Sequence, residues 1–311
     1  MNDKVYFAGF LLAAGLLLFV GRNLLQSSAL LVWGLTFAGT TAVAVLGMSL
    51  YRLQAALRAS RHELARKEAE LDFALEVQRA LFPDQLPQGR GLELAAACVP
   101  ARGISGDFYD VLQLPDGRLV FAIADISGKG VSAAILMASL QAMLRTSVEI
   151  VRSPSEVCSK LNQHLYKVTE ESRFATLFYG EWHPNERSLI YVNAGHAVPV
   201  LLPSGRGQRL DKGGFPLGIF ASSEYQAGEV SLRPKDMLVL YSDGITEAAT
   251  ADGREFGVEG LEAVVSAHQE QPVAEIEARV FEAVRSWSGQ EPEDDMTLVI
   301  MRVTEAHGEN A

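Results

Sequence analysis

Residues 106–140 read GDFYDVLQLPDGRLVFAIADISGKGVSAAILMASL, and this stretch decides the fold class. Residues 107–114 and 118–125 read as two strands, and the Asp116-Gly117 pair between them suits the tight turn of a hairpin. Gly128 and Gly130 then punctuate the chain, and residues 131–148 read as a helix. Asp107 begins the first strand and Asp125 ends the second.

Outward from this stretch the same patterns recur. Residues 92–99 read as a strand before it. After it, Ser153-Pro154-Ser155-Glu156 offers an N-cap, a proline at the first helical position and a reciprocal glutamate, so a second helix is expected there. Residues 174–182, 188–194 and 198–202 read as consecutive antiparallel strands, and the apolar run 237–242 as a buried strand. Two helices are expected between about 258 and 287, and a closing strand at 296–303. Runs of strands and runs of helices indicate an α+β layered domain.

The first ninety residues are of another kind. Residues 5–21 and 29–50 are long apolar runs nearly free of charge, long enough for a two-span transmembrane hairpin. Arg52, Arg58, Arg61, Arg66 and Lys67 follow the second run, against a lone Arg22 between the runs, which predicts cytoplasmic termini. From Tyr51 to Phe82 there is no Gly or Pro, so a long helix is expected up to Pro83. Leu57, Leu64 and Leu71 recur at heptad spacing, while Arg61, Lys67 and Glu68 interrupt the seam. Two possibilities stand: a coiled coil that makes a homodimer, or a solvated connecting helix. The expected divisions are a hairpin at 1–50, a linker at 51–87, a catalytic domain at 88–305 and a disordered tail at 306–311. The expected location is the bacterial cytoplasmic membrane, multi-pass, with the catalytic domain cytoplasmic.

Charge and cysteine content exclude several classes. A net charge of -11 over 311 residues argues against a general nucleic-acid binder. Cys98 and Cys158 have no zinc or redox spacing and read as reduced core thiols. Neither is followed by a glycine-rich loop with an arginine, which disfavours a cysteine phosphatase. Gly128-Lys129-Gly130 is not a nucleotide phosphate loop, since Ile123 and Gly130 stand where glycine and Ser or Thr are required.

Asp107, Asp125, Asp243 and the pair Asp294-Asp295 each lie at a strand end or a turn beside one. Hard divalent cations take carboxylate oxygens and water, and strand ends opening into one cleft can supply several oxygens from distant positions. An aspartate before glycine is by itself most simply a turn residue; four in this order point to a metal site. Arg102, five residues before Asp107, is either a bidentate phosphate ligand or an exposed loop arginine.

GDFYDV, DISGKG opening a helix, FATLFYG, NAGH, GFPLG, SDGITE and DDMT, in this order, resemble the PPM/PP2C superfamily in its bacterial SpoIIE/RsbU-like branch. The resemblance extends over residues 81–303. It implies an α-β-β-α sandwich of two antiparallel sheets flanked by helices, with two Mn²⁺ or Mg²⁺ ions at one edge. It further implies that Asp125 bridges the metals and that Ile126 contributes its carbonyl. Asp243 and Asp294 would complete one metal's shell, Asp107 would serve the other, and Asp295 would stand behind the ligands. Two positions depart from the eukaryotic pattern. Gly106 replaces an acidic residue, which implies a looser, more hydrated second metal site. His196 stands where a third metal's aspartate is expected; it is either a proton donor to the leaving group or a structural histidine capping the strand turn.

The function expected is therefore a metal-dependent serine/threonine protein phosphatase. Its water nucleophile would be activated between metals held by Asp125 and Asp243. The resemblance suggests a phosphorylated anti-sigma-factor antagonist as substrate. A catalytically silent membrane scaffold and a hydrolase of small phosphorylated metabolites are the alternatives.

Overall fold

A computed structural model describes residues 3–24, 29–87, 91–101, 103–169, 173–203 and 209–305. The tail expected to be disordered at 306–311 lies outside them, as does Arg102. Contacts divide the chain into two units, Met1–Glu70 and Leu71–Ala311.

The first unit holds helix α1 (Asp3–Leu24) and most of α2 (Ala29–Arg79). The two helices approach where small residues allow it: a Cβ on Gly21 would meet Thr36 Cγ2 at 3.4 Å, and one on Gly39 would meet Leu17 Cδ2 at 3.7 Å. Thr36, Thr40 and Thr41 return their hydroxyls to carbonyls four residues back at 2.8–2.9 Å, so an apolar helix surface exposes few free donors. Leu12, Leu30, Trp33 and Phe37 stand exposed. Helix α2 runs for 51 residues without a break at residue 50, where apolar composition gives way to charge. No Gly or Pro interrupts the backbone there, so composition changes and conformation does not.

The second unit is built in four layers. One sheet has the order β1 (Leu92–Val99), β10 (Met296–Val303), β9 (Met237–Tyr241), β6 (Val200–Leu202). The other runs β2 (Phe108–Gln113), β3 (Leu119–Ile126), β4 (Ala175–His183), β5 (Ser188–Ala194), β7 (Gly213–Gly214), with β8 (Gly228–Ser231) also on β5. Tyr109, Phe121, Phe178, Trp182, Leu240 and Met301 are among the side chains that fill the space between the sheets. Helices α3 (Val131–Ile150) and α4 (Pro154–Val168) cover the six-stranded sheet through Met137, Leu140, Leu144 and Leu161. Helices α6 (Gly257–Ala267) and α7 (Val273–Ser288) cover the other through Leu261, Ile276 and Val280. Each strand alternates one side chain toward a helix layer and the next toward the opposing sheet.

Several expectations need correction. Residues 188–194 and 198–202 are not neighbours in one sheet: β6 crosses to pair antiparallel with β9, Val200 opposite Val239. The crossing occurs at the sharp turn after Ala194, where Gly195 takes a positive φ. The six-stranded sheet is not wholly antiparallel, since β5 and β7 pair parallel over Asn193–Gly213 and Ala194–Gly214. There a Cβ on Gly213 would stand 1.9 Å from the Asn193 carbonyl oxygen, so only glycine permits the pairing. Ser153 caps α4 and Pro154 opens it, but the serine hydroxyl makes no capping bond. The short helix α5 (Asp243–Thr246) has no counterpart in the expected elements.

Candidate metal centre

Asp107 stands just before β2 and Asp125 near the end of β3, on adjacent antiparallel strands with Phe108 opposite Ala124. Asp243 opens α5 directly after β9, and Asp294 and Asp295 precede β10, which is hydrogen-bonded to β9. Each sheet therefore brings two strand ends to the same edge of the sandwich.

Backbone packing draws the β9 and β10 ends together. A Cβ on Gly244 would stand 2.2 Å from the Asp295 carbonyl oxygen, so the glycine after Asp243 is what lets the two acidic turns touch. Ser242 stitches them: its N–H donates to the Thr297 carbonyl (2.9 Å), its hydroxyl donates to the Asp295 carbonyl (3.1 Å), and its Oγ accepts from the Thr297 N–H (2.9 Å). Thr297 in turn donates its hydroxyl to Asp107 Oδ2 at 2.8 Å, which joins the two sheets at the site.

The carboxylates differ in surroundings. Asp107 is only 2% exposed; burial first, then repulsion from Asp125, holds its pKa well above the usual carboxylate range, against hydrogen bonds from Ser242 and Thr297. Burial, then repulsion from Asp243, Asp294 and Asp295, raises Asp125 to about 6. Burial and the Asp294 charge raise Asp243 as well. Asp294 is more open, with a side chain 53% exposed and an ion pair to Lys129 Nζ at 2.9 Å. Asp295 is fully engaged: it accepts from the Ala101 N–H (2.8 Å), the Ser105 hydroxyl (2.8 Å) and the Gly106 N–H (2.7 Å). It thereby ties Ala101, Ser105 and Gly106 together ahead of Asp107.

Gln78 reinforces that segment from the end of α2. Its buried amide donates to the Ser105 carbonyl (2.7 Å) and accepts from the Ser105 N–H (2.9 Å). Sequence inspection missed Gln78, Ser105, Ser242 and Thr297; for the last three, a hydroxyl one or two residues from an acidic position was the available signal. His196 is buried and anchored, its Nδ1 2.8 Å from Thr176 Oγ1 and its backbone clasped by the Asn193 side chain. Burial lowers its pKa to about 4, with a backbone contact to Tyr241 opposing, so the ring is neutral at physiological pH. Both cysteines are free, and burial, then the Asp107 charge, pushes Cys98 up to about 12, which agrees with an inert thiol.

Among the described residues, no three Asp, Glu, His or Cys side chains are drawn round one point in ligand geometry. Asp125 is nonetheless close enough to Asp107 to raise its pKa; Asp243 and Asp294 raise that of Asp125, and Asp294 raises that of Asp243. Their donor set is oxygen throughout, which suits a hard divalent cation. Gly106 leaves the Ile126 carbonyl open beside them, since a Cβ there would stand 3.1 Å from that oxygen. The residues present therefore fit divalent metal ions.

The family model for stage II sporulation protein E (SpoIIE) matches residues 115–304, more than half of the chain. That range contains Asp125, Asp243, Asp294 and Asp295 but not Asp107. The phosphoserine phosphatase RsbU of Bacillus subtilis is 29% identical over 255 residues, covering 81% of this chain and 74% of the relative. Among solved structures, the SiaA-PP2C domain of Pseudomonas aeruginosa superposes with a TM-score of 0.68 at 22% identity, over 77% of this chain and 98% of that one. RsbX, solved in complex with magnesium, superposes with a TM-score of 0.54 at 16% identity, over 71% of this chain and 99% of its own.

Proposed function

This chain belongs to the SpoIIE family and is a serine phosphatase of the PP2C type, and on that premise we propose that it dephosphorylates a phosphorylated anti-sigma-factor antagonist at the cytoplasmic face of a membrane. The observation that carries the metal chemistry is the crowding of Asp107, Asp125, Asp243 and Asp294 at one sandwich edge. Asp294 raises the ionisation cost of Asp125 and Asp243, Asp243 that of Asp125, and Asp125 that of Asp107, an arrangement that favours bound positive charge. PP2C-family phosphatases use Mg²⁺ or Mn²⁺, and here Asp107, Asp125, Asp243, Asp294 and the Ile126 carbonyl would hold two such ions. When bound, these ions supply the charge that activates water as a nucleophile and offsets the negative phosphoryl group.

The chain's own residues then have separate tasks. The charges of Asp243 and Asp294 bear on Asp125, and its own charge bears on Asp107. Thr297 and Ser105 aim Asp107, the first by donating to Oδ2 and the second by accepting the Asp107 N–H at 3.0 Å. Asp295 and Gln78 clamp the loop from both sides. His196, neutral at physiological pH, supports Thr176 opposite Asp125 and supplies no imidazolium proton. Purified protein with Mn²⁺ or Mg²⁺ should hydrolyse a phosphoserine peptide in preference to sugar phosphates. Activity that survives excess chelator would overturn the metal assignment.

The same proposal places α1 and the first part of α2 across the bacterial cytoplasmic membrane. Support comes from their exposed apolar surfaces, from α2's length and from the cations at Arg52 and beyond. In intact cells a cysteine at position 27 (Ser27→Cys) should react with an impermeant thiol reagent, and one at position 63 (Glu63→Cys) should not. The reverse pattern would put the catalytic domain outside and exclude an intracellular substrate.

A further inference from the structure

Pairing between β3 and β4 continues past Ile126 and Ala175. The Ser127 N–H donates to the Phe174 carbonyl at 2.9 Å, and the Phe174 N–H donates to Ser127 Oγ at 2.8 Å. On the far side of β4, Ala175 and Leu217 exchange backbone hydrogen bonds of 2.9 and 2.7 Å. Ile126, Ala175 and Leu217 all pack into the core under α3 and α4. The alternation of extended backbone therefore puts Asp125, Thr176 and Phe174 on the opposite face, toward the carboxylates.

Residues 214–225 form a loop that leaves from this row and is held at several points. Pro216 lies against Gly195, where a Cβ would stand 2.5 Å from Pro216 Cγ. The buried Asn162 side chain donates to the Phe220 carbonyl (3.0 Å) and accepts from the Gly218 N–H (2.9 Å). The Gln226 N–H closes the loop on the Gly213 carbonyl at 3.1 Å. This fixed backbone nevertheless displays Phe215, 62% exposed, and Phe220, 50% exposed, edge to face with ring centroids 5.4 Å apart. Ile219, next to Phe220 in sequence, is exposed too, and so is Phe174, which adjoins the Ala175 that pairs with Leu217. Exposed aromatics on a pre-ordered loop lose little entropy on binding and mark a recognition surface.

Charge indicates what occupies that surface. Arg173 precedes Phe174, and its Nη1 lies 4.0 Å from the Cβ position of Gly128, in the turn that follows Asp125. A guanidinium between an apolar platform and a carboxylate group complements a phosphate carried on an apolar protein surface. We infer that Phe215, Ile219, Phe220 and Phe174 form the docking platform for the folded phosphoprotein substrate, with Arg173 guiding its phosphate toward Asp125. The inference rests on the serine phosphatase activity and the antagonist substrate proposed above.

The test compares two substrates on the full-length chain in detergent micelles: the phosphorylated anti-sigma-factor antagonist of the same organism, and p-nitrophenyl phosphate, which is too small to touch the platform. Phe215→Ala with Phe220→Ala should lower the ratio of kcat/KM for the phosphoprotein to that for p-nitrophenyl phosphate by roughly thirtyfold, mainly through KM. Phe215→Tyr with Phe220→Tyr, which keeps both rings, should restore most of the ratio. An unchanged ratio overturns the proposal, and so does an equal fall on both substrates, which would make the loop mere scaffold. A loss of oligomeric mass with the ratio intact would assign the platform to a second copy and likewise overturn it. If the wild type hydrolyses p-nitrophenyl phosphate but not the antagonist, the substrate assignment fails, and the platform's assigned partner falls with it.

Discussion

The two ends of the carboxylate group are made of the same residue in very different settings. Asp107 is sealed between the sheets, fed by the Thr297 hydroxyl, and resists ionisation. Asp294 lies half open to solvent and is already paired with Lys129. The difference teaches that the buried end is positioned by the fold itself, whereas the open end is held by an exchangeable surface contact. A buried carboxylate without its donors is costly, while an exposed ion pair contributes only about 0–1 kcal/mol.

The largest expected effect tests whether the sealed end and the centre are indispensable. Asp107→Ala or Asp125→Ala should lower phosphoserine hydrolysis on the order of a thousandfold or more, and Asp294→Ala by less. Equal losses at all three positions, measured as kcat/KM at saturating metal, would erase the distinction. The next effect concerns what positions Asp107. Thr297→Val removes a hydrogen bond to a charged group, a loss of about 1.5–3 kcal/mol, and should lower activity roughly tenfold or more. A Thr297→Ser variant, which keeps the hydroxyl, should recover most of it.

A third prediction concerns pH in metal-free protein. Asp125 has a folded pKa of about 6 against an unfolded value near 3.8. Between these values the folded state binds more protons than the unfolded state, so stability falls as pH rises from about 4 through about 6, and the raised pKa values of Asp107 and Asp243 add a fall in the same direction. The change should be of order 1–3 kcal/mol, read as denaturation midpoints in chelator. Asp125→Asn should make the fall shallower, and a profile that rises over this window would contradict it. The smallest effect belongs to the open end. Lys129→Ala frees Asp294, and activity at saturating metal should stay within about threefold while metal binding tightens by a few-fold in calorimetry. Loss of activity at all metal concentrations would give Lys129 a direct part in the reaction.

Two other regions show how far local pattern reaches. Helix α3 and helix α2 are both long and apolar enough, by composition alone, to cross a membrane. Helix α3 buries Met137, Leu140 and Leu144 against the six-stranded sheet, whereas Leu30, Trp33 and Phe37 of α2 are exposed. The strands 92–99, 188–194 and 296–303 were legible to the residue, because short apolar runs bounded by turn residues are local signals. The edge strands Gly213–Gly214 and Gly228–Ser231 were not legible. Gly213–Gly214 carries no side-chain pattern and pairs with β5 only because its backbone can approach Asn193 closely, while Gly228–Ser231 is four residues long and its Gly228 makes room for the Tyr191 ring.

By itself the sequence determined most of the elements in their order, the apolar runs at the start, the helix through Tyr51, and the aspartates at strand ends. All of these follow from propensities and periodicities that act over a few residues. Tertiary structure decided which sheet residues 200–202 join, which carboxylate is sealed and which is open, and that Asp295 binds Ala101, Ser105 and Gly106. It also decided that Gln78 reaches Ser105 across 27 positions of chain. Those outcomes depend on which surfaces meet when the two sheets pack, and burial, repulsion and hydrogen-bond partners at the site exist only after they meet.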